Sequence, residues 1–594
     1  MVPAARLLPV LLLVALGACS EPGEPQTAAG NAASPAAAPA GDAPDAGDSR
    51  WSAFVERFTE DWMAAHPVYA VTAGRHEFDG QFPDWSADGI RAEIGRLRGL
   101  RREAEAFTGL TDEQAFEREY LLAVIDRNLF WMDEAEWPFR NLEFYFDWGS
   151  DYLSPDPYLS RPYAPLPERM AAYSNFARNL PRALAQIRAN LRTPMPRTWV
   201  EKGIATFGGM AEFFADDVPG IFAQVDDAAL QETFRKANGE AIAALGELTA
   251  WFESLRATAT EDYALGADLF AAMLRETEQV DVPLDVLEDV GRQDLARNLV
   301  ALDAACAEFA PGQDRAGCMA KMNASKPRGG AVAEARRQLG RLREFLVAES
   351  LVTIPGDDPI LVEEAPPYAR SNFAYINVPG PYDLGMPSVY NIAPPDPAWP
   401  EQEQYDYVPG VADLMSTSVH EVWPGHFLQF LHSNRVSIAV GRLFVGYAYA
   451  EGWAHYAEEM MWEAGLAGGL AGGLAEFRIG QVSKALYRNI RYLCAIGLHT
   501  KGMSAAECEA MFRERAFQDP GNARQQAARG TYDPGYLNYT LGKLMIRKLR
   551  DDWSATRGGR AAWGDFHDEF LSHGGPPVPM LRRLMLGPDA GPAL

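Results

Sequence analysis

The sequence predicts a mainly α-helical body with one small β-sheet, and three observations carry that prediction. Apolar residues recur at three- and four-residue spacing through most of the chain beyond residue 50, the period of one helix face. Pro and Gly cluster between those stretches, as at Pro155-Asp156-Pro157 and Thr193-Pro194-Met195-Pro196. Short, partly β-branched runs separated by Pro, Gly and Asp are confined to residues 351–392.

Taken in order, residues 1–19 read as an export signal. Arg6 precedes a ten-residue apolar run, 7–16, too short to span a bilayer as a helix, which takes about 20 residues. Leu16-Gly17-Ala18-Cys19 follows and resembles the bacterial lipobox, in which the signal is cut before the cysteine and that cysteine, here Cys19, is lipidated. Ser20 resembles the residue that follows in lipoproteins sent to the outer membrane. The expected location is the periplasmic face of the bacterial outer membrane, with the membrane touched only through this lipid anchor. Residues 20–48 are almost all Ala, Pro, Gly, Ser, Asp and Glu, which cannot bury a core and read as a disordered tether. A coil of that length spans roughly 30 Å.

Helical patterns then occupy 51–65, 93–107, 112–133, 167–191, 228–255, 284–309 and 331–350, an N-terminal helical part over 49–350. The aromatic-rich stretch 137–152 lacks periodicity and reads as a packed loop. Strand runs at 351–354, 360–363, 373–377 and 388–392 open the second part, 351–594, and predict a small sheet directly before a helix over 413–433. Helices at 447–463, 476–496, 505–517 and 536–553 complete it. The glycine-rich repeat 465–473 follows a helix rather than a strand, which argues for a mobile loop and against a nucleotide site. The two parts are expected to make one structural domain.

A hydrophobic content of 47% places this body among folded proteins. The net charge of −27 argues against nucleic acid as a partner. Beyond Cys19 there are four cysteines. Cys306 and Cys318 flank the turn at 310–314 and are expected to form a disulfide in an exported protein, whereas Cys494, in an apolar helical run, reads as a buried thiol.

Chemistry concentrates at His420-Glu421-Val422-Trp423-Pro424-Gly425-His426. Hydrolytic zinc takes three protein ligands and leaves one position for water. The usual His-Glu-x-x-His places its histidines four residues apart on one helix face. Here they are six apart, about 240° around an unbroken helix. Removing Pro424 and Gly425 restores the usual spacing, so the expectation is that this pair forms a bulge that brings His426 round to His420. Glu451, in Glu-Gly-Trp-Ala, supplies the third ligand of one Zn²⁺ ion, and Glu421 is the candidate general base. Four of the nine histidines (His420, His426, His432, His455) fall in this short region, which favours a site over scatter.

Glu451, His455 and Glu458 share a helix face. Glu458 is a candidate to accept from a ligating histidine and His455 a weaker candidate ligand, with a solvated polar face as the bland alternative for both. Tyr539, Tyr536 and His499 are candidates to hydrogen-bond an oxyanion. The run Ser388-Val389-Tyr390-Asn391-Ile392 is a candidate exposed strand edge, where Val389, Tyr390 and Asn391 offer main-chain groups to a peptide.

Four segments together carry a resemblance: His420 to Gln429, Glu451 to Glu458, Gly497-Leu498-His499, and Asp533 to Lys543. The set resembles the domain-of-unknown-function family 885, many of whose members are exported bacterial lipoproteins. That family is similar to the gluzincin metallopeptidases such as carboxypeptidase Taq, thimet oligopeptidase and angiotensin-converting enzyme. The resemblance implies a large, helical, two-lobed body with a deep groove and a small sheet beside the active-site helix. It also implies His420, His426 and Glu451 as zinc ligands and Glu421 as base. Ala495 stands where the resemblance implies an Asp, which leaves His499 without an orienting carboxylate. The expected activity is zinc-dependent hydrolysis of short peptides in the periplasm. Two alternatives stay open: a metal-dependent hydrolase of another amide or ester, and a non-catalytic peptide-binding lipoprotein.

Overall fold

The computed structural model describes residues 46–594 apart from 147–152, 367–369, 371–372 and 384. The signal segment, Cys19 and the tether up to residue 45 lie outside the described residues, as does the end of the aromatic stretch.

The body is built of helices, starting with Ala46–Ala65, and most follow the apolar periodicity. Their ends have local causes. Thr111 caps Asp112–Leu129 through a reciprocal pair of hydrogen bonds with Gln114, and Ser504 does the same with Glu507 at Ala505–Arg515. The aromatic stretch is partly helical, with short turns at Trp137–Arg140 and Leu142–Phe146. Several helices lie outside the expected stretches, among them Arg197–Asp216 and Pro520–Tyr532. The first contains Gly203, Gly208 and Gly209, poor helix formers in isolation. A Cβ on Gly203 would lie 2.6 Å from the Phe252 ring, so the glycine lets its helix pack closely on Ala228–Leu255.

The sheet has three strands, β1 (Ile360–Glu364), β2 (Ala374–Asn377) and β3 (Ser388–Ile392), in the order β1-β3-β2. β1 is parallel to β3 and β2 antiparallel to it, with Ile376 opposite Tyr390. The run 351–354 forms no strand. Leu351 and Val352 pack into the core, and the Thr353 N–H bonds the Asp568 carboxylate instead of a neighbouring strand.

The expected helix over 413–433 is two helices, Val411–Glu421 and His426–Ser433. The next, Tyr447–Glu463, keeps its expected limits, and the long Gly473–Thr500 helix packs against both Val411–Glu421 and Tyr447–Glu463. Glycines set two of the crossings. A Cβ on Gly480 would lie 2.7 Å from the Ala412 carbonyl. One on Gly542 would lie 1.9 Å from the Ala448 carbonyl, so Tyr447–Glu463 and Asn538–Ser554 meet nearly backbone to backbone. The 465–473 loop rests on the Val411–Glu421 helix, with Gly468 against Met415.

Cys306 and Cys318 are bridged, with Cα atoms 5.8 Å apart. Cys494 is not a free thiol. The Ala505–Arg515 helix doubles back on Gly473–Thr500 and brings Cys508 into a second bridge, Cα–Cα 5.7 Å. Helices of both sequence halves share one compact unit, Ala46–Leu594. Asn298 bonds Asn489 at 2.7 Å and Asp294 bonds the fully buried Lys543 at 2.6 Å across them.

Candidate metal centre

The break between the two histidine-bearing helices follows from Pro424 and Gly425. Proline has no N–H to continue the ladder. The Val422 N–H still reaches Ser418, but the Gly425 N–H folds back to the Val419 carbonyl at 2.9 Å and a new helix starts at His426. A Cβ on Gly425 would lie 1.7 Å from the His420 carbonyl oxygen, so no larger residue fits this turn. The insertion therefore does not form a bulge within one helix; it ends one helix and begins another. His420 lies in the last turn of the first and His426 opens the second, with ring centroids 4.8 Å apart at 81°.

The Tyr447–Glu463 helix brings the third side chain. Glu451 Oε2 lies 3.3 Å from His420 Nε2 and 3.3 Å from His426 Nε2. One ligand atom from each of the three residues falls within 4.8 Å of the others. Donors about 2.0–2.2 Å from a tetrahedral ion stand about 3.3–3.6 Å apart, so both measured separations fit. Glu451 Oε2 is buried and has no partner of hydrogen-bonding geometry. A buried carboxylate oxygen left this way is expected only where something else satisfies it.

A deeper layer orients His420. Its Nδ1 lies 2.9 Å from Glu458 Oε1, and Arg488 Nη1 holds the same oxygen at 2.7 Å. With the Nδ1–H donated to the Glu458 carboxylate, the Nε2 lone pair faces Glu451 and His426, the arrangement a metal-ligating histidine needs. Burial pushes the Glu458 carboxyl up, but the Arg488 charge and the two histidines outweigh it and hold it far below its ordinary range. His455 is fully buried beneath this pair, with Nδ1 3.5 Å from Arg488. Burial lowers it to about 4, against the pull of Glu458, so it is neutral at physiological pH. It packs behind Glu458 rather than facing the cluster.

Glu421 is pushed up to about 7, by burial first and by Glu451 second, while His426, Arg488 and the Ile376 N–H pull it back. Burial pushes Glu451 up too, but His426 and His420 hold it well below its ordinary value. Two adjacent carboxyls thus differ: one tends to stay charged between the imidazoles, the other titrates near neutrality, as a general base requires.

Of the oxyanion candidates, the structure brings only Tyr539 to the cluster. Its ring lies 6.4 Å from that of His420, nearly parallel, and T-shaped to Tyr447. Tyr536 is fully buried with its hydroxyl against Cys508 and Gly530, pointing into the core. His499 is also spent: Nε2 bonds the Gly530 carbonyl at 2.7 Å and Nδ1 faces the Leu265 N–H at 3.3 Å. Neither ring nitrogen is left for a substrate.

Val389, Tyr390 and Asn391 are not an exposed edge. β3 is the central strand, paired on both sides, and Tyr390 is fully buried. The edge beside Glu421 belongs to β2. Phe373 accepts from Ala393 at 2.8 Å, so residues 373, 375 and 377 face β3 while 374 and 376 face outward, and the Ile376 N–H meets the Glu421 carboxylate.

Sequence reasoning missed two residues of this site. Arg488 sits in an apolar helical run, where a charge is itself a signal. Trp453 donates its indole N–H to the Pro424 carbonyl at 2.8 Å, a contact no spacing rule reveals.

The same architecture occurs in two solved structures. One is a candidate lipoprotein of unknown function from Shewanella oneidensis, 22% identical, with a TM-score of 0.72 over 90% of this chain and 99% of that one. The other is a candidate lipoprotein from Colwellia psychrerythraea, 14% identical, with a TM-score of 0.76 over 91% of this chain and 98% of that one. No curated protein matches in sequence. Residues 67–585 match the model of the bacterial proteins of unknown function DUF885, and the chain belongs to that family.

Proposed function

We propose that this chain is a zinc-dependent peptidase acting on short peptides. The observation that carries the reading is the convergence of His420, His426 and Glu451 at metal-ligand separations, beside a buried Glu421. A zinc ion held there supplies Lewis acidity, polarising a carbonyl and making a water acidic near neutral pH. Glu421 accepts the proton of the attacking water and passes it to the leaving amine. Glu458 and Arg488 keep the His420 lone pair aimed at the ion, and Tyr539 stands where a phenol can donate to the carbonyl oxygen as charge develops. A peptide lies along the outer edge of β2, pairing its main chain with the outward groups of Ala374 and the Ile376 carbonyl, the Ile376 N–H being held by Glu421.

Two observations support an exported, lipid-anchored form: the Leu-Gly-Ala-Cys19 segment, and two structural relatives described as candidate lipoproteins. No described helix is long and apolar enough to cross a membrane.

The test is metal content together with Glu421→Gln. Purified protein is expected to hold one zinc, and the variant to keep it while losing hydrolysis of a peptide panel. Protein that binds no zinc at micromolar concentration overturns the reading. Cleavage of simple esters without peptides would favour the broader hydrolase alternative.

A further inference from the structure

The Gly473–Thr500 helix carries a second arginine one turn beyond Arg488. Arg491 is 7% exposed. Its guanidinium lies 4.8 Å from the Tyr539 ring centroid, with those of Arg488 and Arg529 at 5.6 and 6.0 Å. The three cations differ in what balances them. Arg488 is paired with Glu458 at 2.7 Å and Arg529 with Asp533 at 2.9 Å. Arg491 has only neutral hydrogen-bond partners: Nε donates to Gln526 at 2.9 Å and Nη2 to the Tyr487 hydroxyl at 3.4 Å. Among the described residues no carboxylate pairs with it, and its Nη1 makes no hydrogen bond.

A buried guanidinium without a counter-charge is costly. Its planar fork matches a carboxylate in bidentate geometry. The Tyr539 ring lies between Arg491, 4.8 Å from its centroid, and His420, whose ring centroid is 6.4 Å away, so the uncompensated cation stands on the far side of one ring from a candidate ligand. We propose that Arg491, flanked by Arg529 and Arg488, receives a carboxylate of the bound peptide. This rests on the peptidase reading above and narrows it to substrates carrying a negative charge near the cleaved bond. A C-terminal carboxylate and an acidic side chain present the same chemistry to the fork.

Three alanine tetrapeptides separate the sources: the free acid, its C-terminal amide, and the amide with one internal glutamate. The wild-type protein is expected to favour at least one carboxylate-bearing peptide over the neutral amide by about tenfold or more in kcat/KM, mainly through KM. Preference for the free acid identifies the C-terminus; preference for the glutamate amide identifies the side chain. Arg491→Gln is expected to bring the ratio towards one, and Arg491→Lys to restore part of it. Equal cleavage of all three by the wild type, or an equal loss on all three in Arg491→Gln, overturns the proposal. If no peptide is cleaved, the peptidase reading fails separately, and the same peptides are titrated calorimetrically into Glu421→Gln protein with and without Arg491→Gln. About tenfold weaker binding of a carboxylate peptide on loss of Arg491 supports the pocket; no binding, or binding indifferent to charge, removes it. Thermal unfolding shows whether Arg491→Gln folds, and Arg491→Lys replaces it in both assays if it does not.

Discussion

Trp453 and Pro424 are joined by a hydrogen bond from the indole N–H to the proline carbonyl, 2.8 Å long and fully buried. It links the two motifs that supply the candidate ligands. Trp453 lies two residues beyond Glu451, and Pro424 lies in the turn between His420 and His426, so the bond fixes the third ligand relative to the first two. Trp453→Phe keeps an aromatic ring against Phe570 but loses the donor and part of the ring volume, so a buried carbonyl is left unsatisfied at a cost of about 1–3 kcal/mol and a small cavity adds to it. The expected outcome is a folded protein, by circular dichroism, whose zinc affinity in a chelator competition falls about tenfold. Unchanged affinity would show that the bond does not set the ligand geometry.

Gly425 admits no side chain, because its Cβ would overlap the His420 carbonyl. Gly425→Ala is expected to displace the turn and uncouple the two histidines. Helical content measured at low temperature should change little, since the long helices do not depend on the turn, while zinc binding drops below detection at micromolar protein. Stoichiometric zinc in this variant would mean that the turn relaxes without moving either ring.

Glu458 is fully buried between His420 and Arg488. Glu458→Gln keeps an acceptor for the His420 N–H but removes the charge that balances Arg488. Breaking a buried pair in this way costs about 3–5 kcal/mol, and loss of an orienting carboxylate lowers metal affinity about 10–100-fold. Both effects are expected, the first as a lower urea midpoint and the second by metal titration. Arg488→Met in the same background should recover stability but not affinity.

Glu278, which is not one of the candidate ligands, gives a further pH dependence. It is 1% exposed and accepts from Asn538 at 3.0 Å. Burial pushes its carboxyl up to about 7, with Arg127 and the Ala448 N–H opposing. The folded value lies above the unfolded one, so the unfolded chain releases this proton first and stability falls as pH rises from about 4.5 to 7. Above that window the full penalty is present, on the order of 3 kcal/mol. Glu278→Gln should therefore unfold at a higher temperature than the wild type at pH 8, with the difference shrinking towards pH 5. A difference independent of pH would remove Glu278 as the cause.

Much of this protein is determined by its sequence alone. Apolar periodicity marks the long helices because one face must meet the core, so Tyr447–Glu463 and Leu284–Phe309 can be read directly from their own residues. The candidate ligands are legible for a related reason: His, Glu and His around a Pro-Gly pair are an unusual local set, and Glu451 follows in the next helix. Contacts between distant segments are not legible in this way. The sequence cannot say that β3 lies between β1 and β2, because strand order is settled by which edges meet after the chain has turned back, and this moved the exposed edge from Tyr390 to Ile376. It cannot separate Tyr539 from Tyr536, three residues apart, since the Gly452–Gly542 approach places one beside His420 while the other turns towards Cys508. Nor can it show that Cys494 finds a partner, or that Trp453 holds Pro424. Local residue pattern chose the helices and the chemistry; close packing between elements far apart in the chain chose which side chains meet.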